Sequence, residues 1–130
     1  DGQEMLGLKQ IESVCQSGMA GACSTMASIY EKSGDKVKAE HRYAQACSAG
    51  MKEACALRAK LQWDSGKKTE AKSTASQVCE AGVSEACLLL ASWHIGEKNN
   101  TAAIPSLKKA CDDGIEKACK VLSRIQNSGP

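Results

Sequence analysis

Eight cysteines stand at residues 15, 23, 47, 55, 79, 87, 111 and 119, so each member of a pair recurs at steps of 32. Each pair brackets the same phrase: CQSGMAGAC, CSAGMKEAC, CEAGVSEAC and CDDGIEKAC. A fixed period of this size means a stacked array, in which each unit buries its apolar face only against its neighbours. That constraint comes before any other reading of the chain.

The phrase itself describes a corner. Gly18, Gly50, Gly82 and Gly114 lie three residues past a cysteine, where a helix ends on a left-handed residue. The next residue is always apolar (Met19, Met51, Val83, Ile115), as the hydrophobic contact of a Schellman ending requires. Ala22, Ala54, Ala86 and Ala118 follow, small enough for backbones to approach closely. The phrase therefore predicts helix, tight turn and helix.

Between corners there is room for two helices and a looser second turn. First helices are expected near 20–32, 52–64, 84–95 and 116–127, with Ala22/Met26/Ile29, Ala54/Leu61, Ala86/Leu90/Trp93 and Ala118/Leu122/Ile125 on the inward stripe. Second helices are expected near 36–48, 68–80 and 101–112, with Ala39/Tyr43/Ala46, Ala71/Ala75/Val78 and Ala103/Leu107/Ala110 inward. Residues 3–14 fall in the same columns, with Met5, Ile11 and Val14 inward. The second turn carries Ser33-Gly34-Asp35, then Ser65-Gly66-Lys67, then Gly96 with Asn99-Asn100-Thr101. Pro105 is expected to delay or kink its helix. The chain thus reads as one all-α domain, 1–130: a half repeat 1–14, repeats 15–46, 47–78 and 79–110, and a terminal half repeat 111–130. The absence of Phe and the scarcity of Trp and Tyr fit that helical class.

A two-helix unit with Ala-Cys-x-x-Gly-x-x-x-Ala-Cys at its corner resembles the Sel-1-like repeats, relatives of the tetratricopeptide repeat. The eight-residue cysteine spacing resembles the Helicobacter cysteine-rich proteins in particular. The resemblance covers essentially the whole chain and is most specific in the corner phrase. One departure matters: the 32-residue unit is shorter than that family's usual repeat, so the pitch of the array is not carried over. The resemblance implies a right-handed α/α superhelical solenoid of two-helix repeats with each corner stapled by a disulfide. It also implies a periplasmic or secreted protein that binds another protein or peptide on a concave helical groove. Some relatives are described as binding penicillin or hydrolysing β-lactams, which is the alternative function. A cysteine-bearing repeat protein of the mitochondrial intermembrane space gives the alternative location.

Eight cysteines in a reducing compartment would suggest metal, and in an oxidising one a disulfide framework. Zinc wants closely spaced ligands such as C-x-x-C; every pair here is C-x₇-C, and His41 and His94 occupy non-equivalent positions. No metal and no cofactor are expected. Two pairings respect the repeat. One joins the helix end to the next helix start across each glycine corner: Cys15–Cys23, Cys47–Cys55, Cys79–Cys87 and Cys111–Cys119. The other joins the two ends of a hairpin and leaves Cys15 and Cys119 unpaired, so the first is expected.

A net charge of +2 with Lys and Glu interspersed does not suit a phosphate-tracking surface, so no nucleic-acid partner is expected. No apolar run approaches the ~20 residues of a membrane span, so no membrane insertion is expected. The chain opens on Asp1-Gly2-Gln3-Glu4 without an initiating Met, so either a targeting segment has been removed or this is an excised piece.

Ser-x-x-Lys, the nucleophile motif of β-lactam chemistry, occurs at Ser33–Lys36, Ser65–Lys68 and Ser106–Lys109. Neither Ser-Asp-Asn nor Lys-Thr-Gly accompanies it, so no catalytic residue is assigned and no enzyme is expected. Asn99-Asn100-Thr101 matches a glycosylation acceptor, with Glu97 where the bacterial form of that signal wants an acid. The strongest binding lead is a column that should be polar. Opposite the core stripe, repeat one places Ser24, Ser28 and Glu31, and the last unit Lys120, Arg124 and Asn127. The middle repeats place Ala56, Lys60 and Trp63, then Leu88, Ser92 and Ile95. Exposed Trp63, Leu88 and Ile95 flanked by Lys60 are the expected partner-binding patch. Arg58 joins them because its column otherwise holds Met26, Leu90 and Leu122, so its stem is expected to cover core while the guanidinium reaches toward the Trp63 side.

Overall fold

The computed structural model describes residues 2–128, and side chains from 7 to 127. The described residues are helical, with no strand among them: α1 Gly2–Gln16, α2 Ala20–Lys32, α3 Lys36–Ser48, α4 Lys52–Asp64, α5 Lys68–Glu80, α6 Ser84–Gly96, α7 Asn100–Asp112 and α8 Glu116–Ser128. They form two compact units that divide between Ala71 and Lys72, inside α5. In the first, α1 packs on α2, α2 on α3 and α3 on α4; in the second, α6 packs on α7 and α7 on α8.

Every corner is built the same way. Gly50 has φ +104, its N–H donates to Cys47 O at 3.0 Å, and the Met51 N–H donates to Ala46 O at 3.0 Å. These are the two bonds of a Schellman ending, and they satisfy carbonyls that the finished helix leaves without partners. With the chain reversed over a few residues, the bracketing cysteines meet. Disulfides join Cys15 to Cys23, Cys47 to Cys55, Cys79 to Cys87 and Cys111 to Cys119, with Cα atoms 4.6–4.8 Å apart. The helices that follow have apolar N-caps (Met19, Met51, Val83) without a side-chain bond, because those residues serve the preceding helix.

The second turns reuse the motif. Gly34 and Gly66 both have φ +87, and in the third repeat the left-handed residue is Lys98, at φ +61. Gly96, the expected turn glycine, instead closes α6, and the strict period explains why: position 98 shares the column of 34 and 66. Asp35 and Asn99 then cap the next helix, their side chains accepting from the Lys38 and Ala102 N–H groups at 3.1 and 3.2 Å. Pro105 lies inside α7, which begins five residues before it, so it does not delay the helix. The bond it omits is to the first-turn carbonyl of Thr101.

The buried stripe follows the alanine columns. Ala39, Ala46, Ala54, Ala71, Ala75, Ala86, Ala103, Ala110 and Ala118 are fully buried, with Met26, Tyr43, Leu61, Val78, Leu90, Trp93 and Leu107 between them. Five expected core positions are only half-buried: Ile11, Ala22, Ile29, Leu122 and Ile125. Val14 is exposed and lines a shallow apolar dip with Ile11 and Ala22, while the side chain of Met5 lies outside the described residues.

Candidate functional site

Within the second unit, α6 and α8 flank a groove of about 250 Å³ with Leu107 of α7 at its base. The α6 wall carries Leu88, Leu89, Ala91, Ser92 and Ile95, and the α8 wall carries Val121. Glu85 and Lys117, both exposed and both in first turns, stand at one end. The spacing of Glu85, Leu88, Leu89, Ser92 and Ile95 keeps one helical face turned to the groove over roughly three turns, or about 15 Å. Leu88, Leu89, Ile95 and Val121 are half-buried, so each keeps apolar surface for an incoming side chain.

The period of 32 makes an internal comparison possible. Moving each groove position back by 64 residues gives Gly21, Ser24, Thr25, Ala27, Ser28 and Glu31 on α2, Tyr43 on α3, and Glu53 and Leu57 on α4. The α2 wall of that surface is polar where the α6 wall is apolar, while Leu57 keeps the α4 side apolar. Tyr43 is larger than Leu107 and is buried, and its hydroxyl donates to Glu31 at 3.0 Å. Burial, the bond to Glu31 and that carboxylate's charge together push the Tyr43 phenol up to about 12. In the second unit Leu107 replaces the tyrosine and Ile95 the glutamate. The apolar groove is thus a property of particular residues, superimposed on a backbone plan that does not require it.

The five residues expected to form one binding patch belong to both units. Leu88 and Ile95 share the groove, and neither is as exposed as the sequence suggested. In the first unit Lys60 is exposed on α4, while Trp63 is half-buried, with Lys68 Nζ 5.1 Å from its ring centre. Ala56, placed on the outer face by the helical wheel, is buried. The wheel gives direction about one axis, whereas a stacked helix is covered on more than one side. Arg58 is half-buried, and its Nε, buried without a hydrogen bond, lies 3.8 Å from the Glu40 carboxylate of α3 in an ion pair; Lys67 reaches the same carboxylate at 3.4 Å. The Glu40 partnership was not read from the sequence, and it gives Arg58 a role in joining α3 to α4.

Other groove residues were also missed. Leu89 and Val121 occupy the column Thr25, Leu57, Leu89, Val121, whose change from polar to apolar along the chain was legible. Gln62, buried with no partner for Oε1, carried no signal.

The three Ser-x-x-Lys pairs have local structural tasks. Ser33 ends α2 and donates to Tyr30 O at 2.9 Å, and Ser65 ends α4. Ser106 is buried in α7, where Lys109 Nζ donates to Glu80 O at 3.1 Å. Among the described residues there is no cluster of three or more His, Cys, Asp or Glu able to hold a metal ion, and no helix is long and apolar enough to cross a membrane. No family model matches the chain, and no curated protein matches it.

Proposed function

We propose that the protein is an exported, non-catalytic scaffold of the Sel-1-like kind, which holds an apolar segment of a partner protein or peptide. The observation that carries this reading is the groove between α6 and α8. It is largely apolar along its length and bounded by charge at one end, and its apolar α6 wall has a polar counterpart on α2 of the first unit. An apolar strip with a charged rim, on rigid helices, is suited to capturing side chains spaced along a peptide.

Leu88 and Ile95 are the anchors of this reading, with Leu89 and Val121 beside them and Lys117 and Glu85 setting polarity. Lys60 and Trp63 form a second candidate contact on the first unit, and Arg58 supports α4 through Glu40. Four disulfides are compatible with an oxidising, exported location, and a periplasmic or secreted site fits that chemistry best.

Panning a displayed peptide library against the oxidised protein tests the proposal. Selected peptides should carry apolar residues spaced to match the groove. Their affinity should fall by at least about tenfold for Leu88→Asp, which places a charge among apolar groups. Unchanged affinity in a folded Leu88→Asp protein removes the groove as the binding site.

A further inference from the structure

The second turn of the third repeat reads Glu97-Lys98-Asn99-Asn100-Thr101. It contains the Asn-x-Thr acceptor signal for N-linked glycans, preceded at the second position by the acid that the bacterial form of the signal uses. We propose that Asn99 is an N-glycan attachment site on the folded, oxidised protein. Its co-substrate would be a polyisoprenyl-diphosphate-linked oligosaccharide delivered by a transferase.

Three observations carry the inference. All five residues are exposed, with the Glu97 carboxylate in a surface ion pair with Lys72 Nζ at 2.7 Å. The side chain of Asn99 is also divided in its duties: Oδ1 accepts from the Ala102 N–H at 3.2 Å and so caps α7. Glycan transfer uses the other amide atom. Nδ2 forms a bond to the anomeric carbon of the sugar while that carbon's bond to the diphosphate oxygen breaks. The diphosphate leaves with the bonding pair, and one of the two amide protons is lost to base. The product keeps Oδ1 as an acceptor, so the cap and the modification are compatible.

The third observation is that the fold does not ask for this sequence. The equivalent turns read Ser33-Gly34-Asp35-Lys36-Val37 and Ser65-Gly66-Lys67-Lys68-Thr69, and neither contains an acceptor. In the first repeat Asp35 performs the same capping as Asn99. In both earlier repeats a glycine takes the left-handed position that Lys98 occupies at φ +61. The signal is therefore not a by-product of the repeat. Such transfer takes place in the exported compartments where disulfides persist, in agreement with the proposed location but independent of the groove.

The oxidised protein, incubated with a purified bacterial oligosaccharyltransferase and a lipid-linked oligosaccharide, should gain one glycan, mapped by mass spectrometry to the peptide containing Asn99. Asn99→Asp removes Nδ2 but keeps a capping oxygen, so it should stay folded and unmodified. Thr101→Val should also abolish the addition, and Glu97→Gln should abolish it with the bacterial enzyme while a eukaryotic one still modifies the protein. The proposal is overturned if Asn99 stays unmodified while a free peptide of the same five residues is glycosylated. Addition that persists in Asn99→Asp overturns it equally.

Discussion

Lys98 is the only non-glycine residue with positive φ among the described residues, and it stands where two sibling turns use glycine. Replacing it tests whether the strict period governs the second turns. A side chain in the left-handed region costs about 1–2 kcal/mol, through the approach of Cβ to the following carbonyl oxygen. Glycine relieves that but gains freedom in the unfolded chain, which gives back about 0.5–1 kcal/mol. Lys98→Gly should therefore stabilise the oxidised protein by about 0.5–1 kcal/mol, a rise in Tm of roughly 2–4 °C for a chain of this length. Gly66→Lys, the reciprocal change at φ +87, should destabilise by at least as much. Urea unfolding followed by circular dichroism measures both, with an unchanged m-value showing that the compactness of the end states is preserved. If Lys98→Gly is destabilising while Gly66→Lys is neutral, the left-handed assignment at position 98 is wrong. The shared column would then lose its meaning.

Removing one bridge by Cys47→Ala with Cys55→Ala reopens a loop of about nine residues, worth roughly 2.5 kcal/mol in the chain-entropy model, and should lower Tm without loss of helicity. Non-reducing peptide mapping should recover only linkages of eight-residue separation; any 24-residue linkage or free thiol on the native protein contradicts the structure. Tyr43 has a folded pKa of about 12 against an ordinary 10, so its neutral form is favoured in the native state. Its contribution is fully present below pH 10 and is lost as pH rises from 10 to 12. It amounts to about 2–3 kcal/mol, measured as the difference between the wild type and Tyr43→Phe across that window.

Much of the fold was legible because the repeat supplies four copies of one corner. The helices begin and end within a residue or two of the expected limits, since Gly18, Gly50, Gly82 and Gly114 mark where α1, α3, α5 and α7 end. What misled was a residue type read in isolation: Gly96 attracted the third turn, although the period pointed to Lys98. The candidate site was only half legible. Leu88 and Ile95 broke a polar column, but the groove also depends on Leu107 standing where Tyr43 stands two repeats earlier, on a different helix. Ala56 shows the converse, since a small residue on an outer face is buried when neighbouring helices cover it. Arg58 found Glu40 because α3 and α4 pack together, a tertiary relation that no single-helix projection contains.

The most direct test of the binding assignment is a titration of isotope-labelled, oxidised protein with a selected peptide, followed by amide chemical shifts. The account predicts that shifts concentrate on Leu88, Leu89, Ser92 and Ile95 of α6 and on Lys117 and Val121 of α8. The polar counterparts Ser24, Thr25 and Ser28 on α2 should stay unmoved. Shifts confined to α2, or absent from α6 and α8 at saturating peptide, would contradict it.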